Sequence, residues 1–114
     1  MSYVNKGLYK LHHVFFFSYL ILILFGVLAS VFVMNNSGAA DFSSSYLQVA
    51  VFFCLLPSIP CAIHYFAATG VKTGKKRGRV LSRLMAWLMI LVFPVGTAIS
   101  IYMFRKTGTQ WQQR

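Results

Sequence analysis

His64 and Cys61, one helical turn apart, and the pair His12-His13 are the residues of this chain best equipped for chemistry. Imidazole and thiolate are the donors of zinc, copper and haem sites. An ionisable side chain inside an apolar segment is a functional residue by default, so His64 is the intramembrane position to watch. Its spacing to Cys61, His12 and His13 matches no standard metal motif, and no carboxylate lies in any apolar stretch. The expectation is therefore no metal, no haem and no other cofactor, with His64 either hydrogen-bonded between helices or facing the headgroups. The single acid, Asp41, sits in a Ser-rich segment and reads as a solvated turn residue. One exposed acid allows no Ser-His-Asp set, and no membrane carboxylate is present for proton-coupled export. The expected answer to the enzyme question is no.

The second chemically suggestive group is basic. Lys72, Lys75, Lys76, Arg77, Arg79 and Arg83 crowd the segment TGVKTGKKRGRVLSR at 69–83. Phosphate binding of the Walker type would need a glycine pattern following a strand, which is missing. The net charge of +10 comes from 11 Lys and Arg against one acid. In a soluble protein that balance points to nucleic acid. Here the charges flank apolar stretches, so the partner expected is the anionic headgroup layer of a membrane, not nucleic acid.

Three charge-free stretches must position these groups. They run from Val14 to Met34, Leu47 to Ala68 and Leu84 to Phe104, 21, 22 and 21 residues long. About 20 apolar residues in a helix span the ~30 Å hydrocarbon core of a bilayer. Only 11% of the chain is charged, where a soluble domain carries about 25%. The reading is an all-α membrane protein: one integral domain, residues 1–114, of three transmembrane helices in a compact bundle. The first stretch is longer than a signal-peptide core, so it is expected to be retained.

Charge then orients the chain. With three crossings, the amino end and the basic loop carry +8 on one side, against +2 for the first loop and the tail. The positive-inside rule puts the amino terminus in the cytoplasm and the tail outside. Trp87 and Tyr65 then fall near the inner interface, and Tyr46 and Tyr102 near the outer one. Arg105 and Lys106, directly after the third stretch, oppose export. They would suit the cytoplasmic side if that stretch, interrupted by Pro94, failed to cross.

Helices in lipid meet through small residues. In the second stretch Ala50, Cys54, Pro57, Cys61, His64 and Ala68 share one helical face. Gly26 and Ser30 in the first stretch, and Gly96 and Ser100 in the third, are small-xxx-small pairs. Gly26, Ser30, Cys54, Cys61, Gly96 and Ser100 are thus the expected helix-packing residues. Cys54 and Cys61, seven positions apart on one helix, are too distant for a disulfide. Pro57, Pro60 and Pro94 each leave a helix carbonyl without its donor, to be satisfied by a neighbouring helix, by Ser58 or Thr97, or by water.

The segment GKKRGRVLSRLMAWLMILVFPVGTAISIYMF carries a resemblance. Gly78, Arg79, Leu81, Ser82, Phe93, Pro94, Gly96, Thr97, Ile101 and Tyr102 match a basic Gly-Arg loop followed by a Phe-Pro-x-Gly-Thr helix with an Ile-Tyr-type end. This resembles a pattern in small, largely uncharacterised three-span bacterial inner-membrane proteins, over the last third of the chain. The resemblance implies a bacterial origin and a multi-pass place in the inner membrane, and it carries over no catalytic residue. The function expected is non-enzymatic: a small structural or accessory subunit packing on a membrane-protein partner or on its own copies. Two other classes use chains of this build, an immunity protein against a membrane-targeting toxin and a holin-like pore former.

Overall fold

A computed structural model describes residues 4–36, 48, 50–92 and 94–113. Asp41, Tyr46, Leu47, Phe93, Arg114 and most of the first loop lie outside the described residues. Every regular element described is helical. Helix α1 covers Lys6–Asn36 and α2 covers Leu56–Lys72, the latter continuing a wide π-turn at Val51–Leu55 in which the Leu56 N–H reaches the Val51 carbonyl. Helix α3 covers Lys76–Met89 and α4 covers Val95–Thr107. Two of these are long and apolar enough to cross a membrane: α1, with 31 residues, and the continuous helix Val51–Lys72, with 22. At about 1.5 Å per residue they measure ~46 Å and ~33 Å.

The third stretch is not one helix. It ends at Met89, turns, and restarts at Val95 in a second helix packed antiparallel on the first. Pairs across the two arms fix this direction: Gly96 faces the Met89 carbonyl, Ser100 donates to the Ala86 carbonyl at 2.7 Å, and Arg79 reaches the Thr107 carbonyl at 2.6 Å. Pro94 is the physical cause. It has no N–H for the Ile90 carbonyl four residues back, and Thr97 Oγ1 takes over that acceptor at 3.2 Å. Gly96 N–H returns to the Val92 carbonyl at 2.6 Å and closes the turn. The arms have 14 and 13 residues, about 21 and 20 Å. Each is shorter than the ~30 Å hydrocarbon core. The expected helix 84–104 is therefore replaced by a fold-back hairpin.

The expected loop 69–83 is mostly helix too. α2 stops in a left-handed cap: Gly74 (φ 68°) donates to the Val71 carbonyl, and Lys75 donates to the Gly70 carbonyl. This pair of nested bonds is the Schellman ending, and glycine enters the left-handed region without a Cβ penalty. α3 begins two residues later, so α2 and α3 meet directly. They cross at Gly70 and Gly78, where a Cβ on Gly70 would lie 2.6 Å from Gly78 Cα.

Two compact units divide the chain, Met1–Val14 with Ile63–Arg114, and Phe15–Ala62. The first has a core of Leu8, Val71, Met85, Ala86 and Met103, with Tyr9, Leu11 and Phe104 packed around it. Asn5, in a left-handed turn (φ 56°), fastens three parts of this unit. Its side chain donates to the carbonyls of Gln112 and Val71 and accepts the Gln112 N–H at 2.9 Å. In the second unit Gly26 of α1 lies on the π-turn: a Cβ there would stand 2.5 Å from the Phe53 carbonyl oxygen. Cys61 Sγ faces the Phe16 carbonyl at 3.8 Å.

Candidate functional site

Three polar side chains from three helices meet inside the first unit. His12 of α1 sits between His64 of α2 and Ser82 of α3. Its Nδ1 lies 2.8 Å from His64 Nδ1, and its Nε2 lies 2.7 Å from Ser82 Oγ. The two imidazoles are tilted by 47° with ring centres 5.1 Å apart. All three side chains have 0% exposure. The close Gly70–Gly78 crossing brings Ser82 into place, one helical turn beyond Gly78. Position 12 lies one turn beyond Leu8, whose side chain is in the core. His64 shares its helical face with Pro57, Cys61 and Ala68, which are buried, and with Ala50 and Cys54, which are half-buried.

The proton count of this chain is informative. Two ring nitrogens at 2.8 Å need one proton between them. If His12 carries it on Nδ1, it donates to His64, and its Nε2 accepts from the Ser82 hydroxyl. If His64 carries it on Nδ1, His12 accepts there and donates from Nε2 to Ser82. Both arrangements satisfy every bond in the chain, with opposite polarity. In a low-dielectric interior, buried hydrogen bonds of this kind hold the three helices in one register.

The heavy-atom pattern is also that of a nucleophile, a base and an orienting group. Ser82 is sealed, it belongs to the interior of a regular helix, and both ring nitrogens of His12 are engaged, one by Ser82 itself and one by His64. The arrangement can pass a proton along itself and fix three helices. It offers no room for an acyl substrate.

The other residues singled out from sequence are placed as follows. Gly26 and Ser30 are buried on α1, with Ser30 Oγ donating to the Gly26 carbonyl at 2.8 Å. Gly96 and Ser100 are buried, but against the other arm of their own hairpin, not against a second crossing helix. Of the six basic residues at 72–83, Lys75, Lys76, Arg77 and Arg83 are exposed and Lys72 and Arg79 half-buried. Arg79 and Arg83 are not free anchors. Their Nε atoms donate to the Thr107 carbonyl and, at 3.4 Å, to Thr107 Oγ1. Thr107 ends α4, so these cations cap a helix carboxyl end, where the macrodipole favours them. Tyr102, expected at the outer interface, has its hydroxyl against Gly7 at the start of α1, with Lys106 over its ring at 5.6 Å. The fold-back returns α4 to the end where α1 begins.

Gly78 and Ser82 enter the sequence reading only as residues of the resemblance, with no packing or hydrogen-bonding role, and Gly70 and Thr107 are not singled out by it. By sequence Ser82 belongs to the charged segment 69–83, and only the helical continuation of 76–89 turns it inward. Among the described residues, no three His, Cys, Asp or Glu converge to share a metal ion. No family model, curated protein or solved structure matches the chain.

Proposed function

We propose that this chain is a non-enzymatic accessory subunit of a bacterial inner-membrane complex, crossing the membrane twice and carrying the α3–α4 hairpin as a re-entrant element on the cytoplasmic side. The observation that carries the non-catalytic reading is the sealing of Ser82, His12 and His64 at 0% exposure. The groups able to do chemistry are spent on joining helices. What is left for partners is an outer surface of large apolar side chains, among them Phe25, Phe32, Phe52 and Phe66. The inward turn of Ser30, Cys61 and His64 leaves few polar groups to line a hole, which weighs against the pore-forming reading.

The topology has its own support. With two crossings, both chain ends and the whole segment after Lys72 fall on one side. That side holds all 11 Lys and Arg, against Asp41 alone on the other, a contrast of +11 to −1. Three crossings give +8 to +2, so the positive-inside rule favours two. The hairpin tip is apolar and open, with Leu91 82% and Val95 67% exposed, while its base carries Lys75, Lys76, Arg77, Arg105 and Lys106. An apolar tip above a basic base suits insertion among acyl chains with cations at headgroup level.

Affinity purification of the tagged chain at native expression, in mild detergent, tests the functional reading. The expected result is a stoichiometric integral-membrane partner. Recovery of a secreted toxin in its place, or purified protein that conducts ions in planar bilayers, would overturn the subunit reading.

A further inference from the structure

We infer that the groove between the start of α1 and the end of α4 is a binding site for an anionic phospholipid, with the phosphate held between Lys6 and Lys106. Two adjoining hollows form the groove. One, of about 360 Å³, is lined by Lys6, Lys106, Gln110 and Gln112, with Asn5 and Gly7. The other, of about 380 Å³, shares Lys106 and Gln110 and continues along Ala98, Ile101 and Tyr102, with Arg105. Each is in the size range of small-molecule sites. Together they are amphipathic in the order that a lipid requires: ammonium and amide groups at one end, apolar side chains at the other.

The walls are fixed by contacts already described. Asn5 is tied to Gln112 through both of its amide atoms, which holds the tail against the first turn of α1. Tyr102 is seated on Gly7, where any side chain would collide with its hydroxyl. Its ring lies under the Lys106 ammonium and directs that side chain along the groove. Asp41 is the only acidic side chain of the sequence and is far from these residues in it, so Lys6, Arg105 and Lys106 have no acidic side-chain partner among the described residues. A phosphodiester supplies the missing charge and accepts from ammonium and amide donors together. The apolar half, on an α4 that returns to the basic end of the chain, selects a lipid over a free phosphate.

This site rests on the membrane placement proposed above and differs from the exposed basic turn at Lys75-Lys76-Arg77. The test is native mass spectrometry of the full-length protein in mild detergent, titrated with phosphatidylglycerol or phosphatidylcholine. Each basic group near anionic lipid adds to its retention, so the Lys6→Gln/Lys106→Gln pair should weaken phosphatidylglycerol binding about tenfold or more. Lys75→Gln/Lys76→Gln, which removes the same charge from the turn, should change it by less than about threefold. Ala98→Trp, which fills the apolar half and keeps every charge, should also abolish retention, and it covers the case in which the double variant does not fold. Equal loss in the groove and turn variants, or unaltered binding in Ala98→Trp, overturns the inference. Displacement of the lipid by millimolar inorganic phosphate would make it a free-phosphate site and overturn the lipid assignment. Extraction of native membranes with carbonate separates the two levels: release of the chain refutes the membrane placement, whereas retention without groove-dependent binding refutes the site alone.

Discussion

Gly78→Ala is the substitution whose effect follows most directly from the packing. A Cβ at position 78 would collide with the backbone of Gly70 and Val71, at 2.8 Å from Gly70 Cα. Ordinary contact begins near 3.5 Å. These are backbone atoms of a helix, so no side chain can swing aside, and α2 and α3 must separate. The Ser82–His12–His64 chain spans the same crossing with bonds of 2.7 and 2.8 Å, and it tolerates only a few tenths of an ångström before those bonds are lost. Overpacking costs about 1–3 kcal/mol, and two weakened buried hydrogen bonds add about 1–3 more. Alanine in place of glycine within a helix returns about 1 kcal/mol. The net expectation is a loss of roughly 1–5 kcal/mol, a fall in melting temperature of at least about 4 °C for a chain of this size. Thermal unfolding by circular dichroism in mild detergent reads it, with Val80→Ala, at an exposed position of the same helix, as control. A Gly78→Ala melting temperature at or above that of wild type would refute the close-crossing argument.

Four further outcomes are expected. His12→Leu removes the centre of the buried chain and strands two partners at about 1–3 kcal/mol each, so it should lower thermal stability at least twice as much as Ser82→Ala; equal effects would show that the three groups are not coupled. Gly26→Leu places its side chain on the Phe53 carbonyl and should destabilise the α1 contact with the π-turn, whereas wild-type melting in detergent would exclude that contact. On a background lacking Cys54 and Cys61, Lys76→Cys and Thr109→Cys should both resist a membrane-impermeant thiol reagent in intact cells; external labelling of Thr109→Cys alone would restore a third crossing. Elemental analysis and an absorption spectrum of the native purified protein should show neither stoichiometric metal nor a Soret band, and either signal would reopen the His12–His64 pair as a ligand set.

Much of this architecture was legible from residue types alone. The apolar stretches that become α1 and Val51–Lys72 are plain, and so is the small, weakly polar face of α2 carrying Cys61 and His64. The placement of His64 level with His12 also follows from counting residues along two helices that run in opposite senses. The fold-back of the third stretch was signalled, but by features that length outweighed. A run of 21 apolar residues meets the crossing criterion whatever its shape. Pro94 and the basic pair Arg105-Lys106 identify this run as two arms and a turn only once Thr97, Gly96 and Ser100 are seen to satisfy the interrupted backbone locally. Ser82 was illegible for a related reason. Its role depends on α3 beginning immediately after the Gly74 cap, and a sequence with six cations in fifteen residues reads as loop until Thr107 is found to accept from two of them.

The return of α4 to the side from which α3 leaves has a consequence for how the chain enters its membrane. In the two-crossing arrangement, the only segment that has to be carried through the bilayer between the crossings is the fourteen residues at 37–50, and its one charge is Asp41. An inside-negative potential drives that carboxylate outward, with about 2.3 kcal/mol per 100 mV. A third crossing would instead drag Arg105, Lys106 and Arg114 against the same field, at about 7 kcal/mol per 100 mV for three charges. In that arrangement, turning back at Pro94 would leave all of the cations where they were made, and the membrane potential would become a force that assists insertion.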